Sequence, residues 1–220
     1  MPFFVAIRQE AWPEQLPGLL AAIRKNFASS ATNAPARHSA RVFQRLNEPT
    51  SLLSIGEWTS QADYELHRWS ADFQRAVESA GPRATVHYLD RLHHFERMNE
   101  RAGVVACATI TLPRDRLTEA EAFLLGPTRR NMVASPALVS RELYRFQEEV
   151  DGQRRLLVVH SWRSLQDLEH FRSADALQFE QRLREFGGSV ERFTGQIAVE
   201  YVRAQHTEGG NPPGDSSTGS

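Results

Sequence analysis

An internal repeat is the feature of this sequence that most constrains its fold. Two segments share an apolar run that ends in Trp, a Ser two residues later, and a His-x-x-Ser-Ala-Asp sequence further along. They are SLLSIGEWTSQADYELHRWSAD, residues 51–72, and RLLVVHSWRSLQDLEHFRSAD, residues 155–175. The matching tryptophans, Trp58 and Trp162, place the repeat at nearly half the chain length. Each half must therefore form the same structural unit, and the fold is built from two similar parts.

Each half shows the same order of elements: strand, helix, strand, strand, helix, strand. Runs of β-branched and aromatic residues predict strands at Phe3–Arg8, 41–46, 51–58 and Val86–Met98, and again at Val104–Leu112, 141–147, 155–162 and Val190–Val202. Apolar spacing and capping signals predict helices at Glu14–Ala28, Leu117–Val133, from Ser60 to about Ser79, and from Ser164 to about Phe186. This order is the α+β, ferredoxin-like βαββαβ arrangement.

Glycine- and proline-containing pairs mark where several of these elements break, turn or end. Gly126-Pro127 interrupts the predicted helix Leu117–Val133 and should kink or split it. Asp151-Gly152 predicts a tight hairpin between two strands of the second half. Gly81-Pro82 and Gly187-Gly188 are expected to end the second helix of each half.

Two such units in one chain can bury the apolar sheet face that each unit alone would leave exposed. Each four-stranded sheet covers one face with its helices, and the other face would expose a large apolar patch. Packing the two sheets together predicts an intramolecular pseudo-dimer. We predict a first repeat at 1–100 and a second repeat at 101–205. The remaining segment, 206–220, is rich in Gly, Pro, Ser and Thr, so we expect a disordered tail.

Composition narrows the partners and the compartment. The formal net charge is −1, so no strong attraction to nucleic acid or to an anionic membrane is expected. Cys107 is the single cysteine, which excludes a disulfide within the chain. No apolar run reaches the roughly 20 residues of a membrane helix, and the N-terminus lacks the pattern of a secretory signal. The sequence predicts a cytoplasmic protein without nucleic-acid or membrane partners.

Cofactor and metal signals are absent from the sequence. No Gly-rich phosphate loop or dinucleotide fingerprint is present, so no cofactor is predicted. His87, His93 and His94 cluster near the end of the first half, but neither they nor His160 stand at a convincing ligand spacing with a carboxylate. We predict no metal site.

The repeated motif resembles a known family. An apolar strand ending in Trp-x-Ser, followed by a helix with His-x-x-Ser and then Phe, is similar to the antibiotic biosynthesis monooxygenase family, whose fold is the dimeric α/β barrel. The first copy, EWTSQADYELHRWSADF, matches better than the second, SWRSLQDLEHFRSAD. Most members of that family are homodimers of one repeat. The resemblance implies a tandem pair folded as an intramolecular dimeric α/β barrel, and leaves open whether the chain pairs again.

The resemblance also implies a site in the first half. In the cofactor-independent monooxygenases of the family, the matching Trp lines a pocket for a flat aromatic polyketide, and a Tyr six residues later serves proton or electron transfer. These residues are Trp58 and Tyr64 here, and the family's polar position four residues before the Trp is Ser54. His67 is a further candidate for catalysis. Arg41 and Trp69 are candidates for substrate binding.

The second half keeps less of this constellation. Leu168 stands where the first half has Tyr64, and Val158 stands where it has Ser54. Trp162 and His160 share a strand face and are added as candidate substrate-binding residues. The expected function is thus a cofactor-independent monooxygenase that combines an aromatic polyketide-like molecule with dioxygen in a first-repeat pocket.

Several alternatives remain open. Trp58 and Tyr64 could serve only as core aromatics that hold helix to sheet, and the protein would then be a non-catalytic binding or interaction protein. A polyketide cyclase or isomerase would convert the same kind of substrate without oxygen. The haem-degrading branch uses a histidine late in the second helix, where this chain has Val77; haem binding through another histidine stays open.

Overall fold

The computed structural model describes residues 2–71, 73–74, 83–98 and 100–203, except for the side chains of 31, 33, 83, 127, 129 and 174–178. The first half contains β1 (Phe3–Glu10), α1 (Leu16–Ala28), α2 (Ser30–Asn33), β2 (Arg37–Arg45), β3 (Ser51–Trp58), α3 (Gln61–Arg68) and β4 (Arg83–Glu96). The second half contains β5 (Val104–Pro113), α4 (Leu117–Leu125), α5 (Pro127–Ala134), β6 (Leu138–Phe146), β7 (Gln153–Trp162), α6 (Leu165–Glu185) and β8 (Ser189–Val202).

The eight strands form one closed antiparallel barrel in the order β1-β3-β2-β8-β5-β7-β6-β4. Each half supplies four neighbouring strands, and the halves join where β2 pairs with β8 and where β4 pairs with β6. The predicted α+β fold, two repeats closed into an intramolecular dimeric α/β barrel, is confirmed. Closure leaves neither sheet with an unpaired edge. The boundary predicted at residue 100 falls in the segment between β4 and β5.

Apolar side chains occupy two layers because successive strand residues point to opposite faces. One layer fills the barrel and takes residues from both halves, among them Phe4, Phe43, Leu89, Val105 and Tyr144. The other layer lies outside the barrel, between the strands and the helices of each half. The candidate site residues belong to this outer layer or to the barrel interior, depending on their strand position.

Local sequence signals place several elements as predicted. The hydroxyl oxygens of Ser60 and Ser164 accept the backbone N–H of Asp63 and Asp167 at 3.2 Å, which caps the helix that follows each strand. Asp151 and Gly152 both adopt positive φ, as a tight hairpin requires. The predicted interruption at Gly126-Pro127 is confirmed, because α4 ends at Leu125 and α5 begins at Pro127.

Strand β2 differs from its predicted position, and the difference affects the candidate site. The second strand begins at Arg37, four residues before the predicted start, and its pairing with β3 shifts register between Arg37 and Ser39. Such a bulge changes the face on which the residues before it lie.

Some predictions fall on other parts of the chain. The predicted end of the first-half helix near Ser79, the Gly81-Pro82 stop, Val77 and the tail at 206–220 lie outside the described residues. Among the helices that the structure describes, none combines the length and the apolar character needed to cross a bilayer.

Candidate functional site

A cavity of about 110 Å³ lies between the sheet of the first half and its helices. Three of the predicted site residues line it: Ser54 and Trp58 from β3, and Tyr64 from α3. Helix α1 covers it with Leu19, Ile23, Asn26 and Phe27. The alternation of β3 explains the grouping, since Ser54, Gly56 and Trp58 all face the helices.

Trp58 and Tyr64 form the aromatic wall of this cavity. Both are almost fully buried, and their ring centroids are 5.4 Å apart in an edge-to-face arrangement. The Tyr64 hydroxyl is buried and makes no hydrogen bond with any residue that the structure describes. Burial raises the pKa of Tyr64 well above its ordinary value, so the hydroxyl keeps its proton and can only act as a neutral donor or acceptor.

Arg37 is the residue of this site that the sequence did not indicate. The bulge in β2 places it on the helix-facing side, where it is 4% exposed and lines the cavity. Its guanidinium lies 4.8 Å from the centre of the Trp58 ring and donates to Asn26 Oδ1 and Ser30 Oγ, both at 2.9 Å. Burial lowers the pKa of Arg37 to about 10, which still leaves it cationic at neutral pH.

No carboxylate of the described residues forms an ion pair with Arg37, so its charge is balanced by neutral groups alone. A buried cation of this kind raises the local affinity for an anion. The cavity therefore joins an aromatic wall to a positive charge and an unsatisfied hydroxyl.

His67 supports this arrangement rather than lying in the cavity. Its Nε2 lies 2.7 Å from Arg37 Nη2, and because a guanidinium nitrogen can only donate, Nε2 accepts. The imidazole also packs on Trp58 with ring centroids 5.0 Å apart. The lone pair that a general base would use is thus engaged, and the geometry gives His67 a positioning role.

The other first-half candidates lie elsewhere. Arg41 lies on the barrel-facing side of β2 and pairs with Glu142 of the second half. Trp69 is 68% exposed just after α3, with the Arg68 guanidinium 5.5 Å from its ring centre. The structure brings neither of them to the cavity with Trp58.

The second half contains a larger cavity at the equivalent place, with a volume of about 340 Å³. His160 lines it, and the Nε2 atom of His160 is buried and makes no hydrogen bond with the described residues. Burial, with Arg141 and Arg172 nearby, holds the pKa of His160 well below its ordinary value, so the imidazole is neutral. Trp162 is fully buried and packs against Phe171, with ring centroids 4.9 Å apart.

Within the described residues, no group of three His, Cys, Asp or Glu side chains is arranged to hold a metal ion. Cys107 is buried in the barrel, and burial raises the pKa of its thiol to about 12. A thiol held in its protonated form is a poor nucleophile.

Comparison with known proteins places this geometry in context. Residues 2–79 match the family model described as antibiotic biosynthesis monooxygenase, and this range contains all of the first-half cavity residues named above. No curated protein matches the chain in sequence.

Solved structures share the fold over nearly the whole chain. A candidate monooxygenase from Lactobacillus acidophilus NCFM superposes with a TM-score of 0.70 and 9% identity, over 91% of this chain and 96% of its own. An anthrone oxidase-like protein gives 0.71 and 15%, over 91% and 92%. The heme-degrading enzyme of Listeria monocytogenes gives 0.51 and 11%, over 88% and 99%. At these identities the likeness concerns the fold alone.

Proposed function

We propose, from the match of residues 2–79 to the antibiotic biosynthesis monooxygenase family model, that the protein is a cofactor-independent monooxygenase of a flat aromatic substrate. We place the reacting site in the first-half cavity. One observation carries the proposal: the unsatisfied Tyr64 hydroxyl and the Arg37 cation line the same aromatic cavity. A buried hydroxyl without a partner costs about 1–3 kcal/mol, and a bound ligand oxygen would remove that cost.

The chemistry needs an anion rather than a cofactor. An anthrone that loses a ring C–H proton to solvent becomes an electron-rich anion, which can transfer one electron to dioxygen. The resulting radicals combine to a peroxide at the same carbon, and loss of water leaves a quinone. One dioxygen is consumed per substrate, with one oxygen atom kept in the product and the other released as water.

The residues of the cavity suit the first of these steps. The Tyr64 hydroxyl would donate a hydrogen bond to the oxygen of the substrate anion and keep its proton, and the charge of Arg37 would stabilise the same oxygen in a site of low dielectric constant. Trp58 would pack on the ring face, and Ser54 would offer a further polar contact. His67 would hold Arg37 and Trp58 in place. Solvent is left as the proton acceptor, because the Nε2 atom of His67 accepts from Arg37.

The small volume of the first-half cavity limits how much of a substrate it can hold. A volume of about 110 Å³ holds part of a tricyclic ring system, whereas pockets for small molecules begin at about 300 Å³. Helix α1 covers the cavity mainly with apolar contacts from Leu19, Ile23 and Phe27. A whole tricyclic substrate therefore needs more space than this cavity offers, and we propose that α1 moves away from the sheet to provide it.

Oxygen uptake with dithranol, a hydroxylated anthrone, tests the proposal; the anthrone class is suggested by the name of one structural relative. We expect uptake above the buffer rate without added metal or flavin, and a fall in kcat of about 100-fold in Tyr64→Phe, the cost typical of losing one donor to a reacting anion. Tyr88→Phe is the matched control, because that ring lies 6.2 Å from Tyr64 and its hydroxyl donates to Glu65 instead.

A wild-type rate in Tyr64→Phe, or the absence of uptake by the wild-type protein, would contradict the proposal. Non-catalytic binding is the second candidate. It is favoured by the lining of the first-half cavity, where the described residues include no carboxylate or free imidazole that could act as a base. Quenching of tryptophan fluorescence by dithranol without oxygen uptake would support it.

A further inference from the structure

The larger cavity of the second half has two small residues on its floor. Ala106 and Ala108 of β5 line it, and the strand pairing makes them the counterparts of Val5 and Ile7 in β1. Both pairs of residues face the helices of their own half. Replacing a branched side chain by a methyl group on the floor leaves open space that the second half does not refill.

The walls of this cavity are aromatic and flexible apolar side chains. Phe123 of α4 and Phe179 of α6 stack with ring centroids 6.2 Å apart and an interplanar angle of 25°. Phe171, Leu168 and Met132 complete the wall. A volume of about 340 Å³ between such walls is suited to a flat molecule of two or three rings, since it reaches the range of ligand pockets, about 300 Å³ and above.

Three arginines line the same cavity, and they differ in whether they form an ion pair with a glutamate. Arg192 pairs with Glu180 at 2.5 Å, and Arg182 pairs with Glu185 at 2.5 Å. Arg172 is partly buried, donates to the neutral Thr194 Oγ1 at 2.7 Å, and forms no ion pair within the part of the chain that the structure describes. Burial and then the charge of Arg192 lower the pKa of Arg172, and the charge of Glu169 opposes them.

Within the described part of the chain, these features place a cation that pairs with no carboxylate beside an apolar, ring-sized space, and leave His160 Nε2 on the floor without a hydrogen-bond partner. We propose that the second-half cavity binds a flat aromatic carboxylic acid, with its rings against the phenylalanine side chains, its carboxylate on Arg172, and a ring substituent hydrogen-bonded to His160. The second repeat is then a distinct binding site for an aromatic acid. The inference rests on this cavity alone and not on the oxidation proposed for the first half.

Calorimetric titration of the full-length protein with 2-naphthoate tests the proposal, with the uncharged 2-naphthamide as the matched ligand. We expect 2-naphthoate to bind more tightly than the amide. Arg172→Gln should weaken 2-naphthoate at least 10-fold and leave the amide unchanged. Arg184→Gln is the control on the same helix, because Arg184 is 80% exposed and does not line the cavity.

A second variant tests the space rather than the charge. Ala108→Ile introduces the side chain that the first half carries at Ile7 and should abolish binding of both ligands, with the thermal midpoint showing that the protein remains folded. Tyr64→Phe should leave both titrations unchanged, which separates this site from the first-half cavity. Absence of 2-naphthoate binding at millimolar concentration, equal losses in Arg172→Gln and Arg184→Gln, or full affinity in Ala108→Ile would each overturn the proposal.

Discussion

The guanidinium of Arg37 lies between three neutral hydrogen-bonding partners and two aromatic rings. It contacts Asn26, Ser30 and His67 through its nitrogens, and its carbon centre lies 5.2 Å from the Phe27 ring and 4.8 Å from the Trp58 ring. Several elements of the first half therefore meet at one side chain. A buried group with this many partners stabilises the fold as well as the charge of the cavity.

Replacing Arg37 by methionine should lower the free energy of unfolding by about 2 kcal/mol, because the buried acceptors on Asn26, Ser30 and His67 lose their donor. Urea unfolding at pH 7 measures the change. Arg24→Gln serves as the control, because Arg24 is exposed and makes one long hydrogen bond to a backbone carbonyl. A loss in Arg37→Met no larger than in the control would show that these contacts contribute little.

Arg41 and Arg37 show where prediction of individual residues from the sequence reaches its limit, because Arg37 lines the first-half cavity and Arg41 does not. The repeated motif indicates Trp58, whereas Tyr64 and Ser54 follow only from the family resemblance, because the second half has Leu168 and Val158 at those positions. Simple alternation could not place Arg37, because the bulge between Arg37 and Ser39 changes the face on which the residue before it lies. Arg37 is the cation of the first-half cavity, and Arg41 lies in the barrel interior instead.

Elements were predictable where local chemistry determines them. The serine caps of α3 and α6, the Asp151-Gly152 turn and the break at Gly126-Pro127 each depend on a few neighbouring residues, and each occurs as expected. The cavities were not predictable in this way. Their volumes depend on how several helices pack on β1 and β5 in three dimensions. Without equivalents of Tyr64 and Ser54, the second half gave no sequence signal of the space above Ala106 and Ala108.

At the scale of the whole molecule, an ion pair inside the barrel joins the two halves. Arg41 lies opposite Ile55 in the hairpin of β2 and β3, and Glu142 lies opposite Val159 in the equivalent hairpin. The two charged residues therefore occupy equivalent positions of the two repeats. A symmetric dimer would place like charges together there, whereas a single chain can carry opposite charges and pair its two halves uniquely.

The acid dependence of stability follows from this pair. Burial alone would raise the pKa of Glu142, but the charge of Arg41 and hydrogen bonds from His94 and Arg41 lower it to about 2, from 4.5 for an ordinary glutamate. A carboxyl with a depressed pKa in the folded state stabilises the protein above pH 4.5 and loses this contribution as the pH falls from 4.5 towards 2.

Glu142→Gln should therefore lower the free energy of unfolding by about 3 kcal/mol at pH 7, because it leaves Arg41 buried without its partner. The difference from the wild-type protein should shrink as the pH falls to 3. Urea unfolding at both pH values measures it. Glu191→Gln is the control, since its pair with Arg8 is exposed and should contribute less than 1 kcal/mol. A pH-independent effect of Glu142→Gln would contradict this account.

Together, the two proposals give the halves different sites: the first-half cavity oxidises an anthrone-like molecule, and the second-half cavity binds an aromatic acid. The most direct test measures oxygen uptake with dithranol while 2-naphthoate is increased past its calorimetric Kd. We predict uptake whose KM for dithranol does not change as the second-half cavity fills. A KM that rises in proportion to 2-naphthoate, with an inhibition constant equal to that Kd, would show one shared site and contradict the claim.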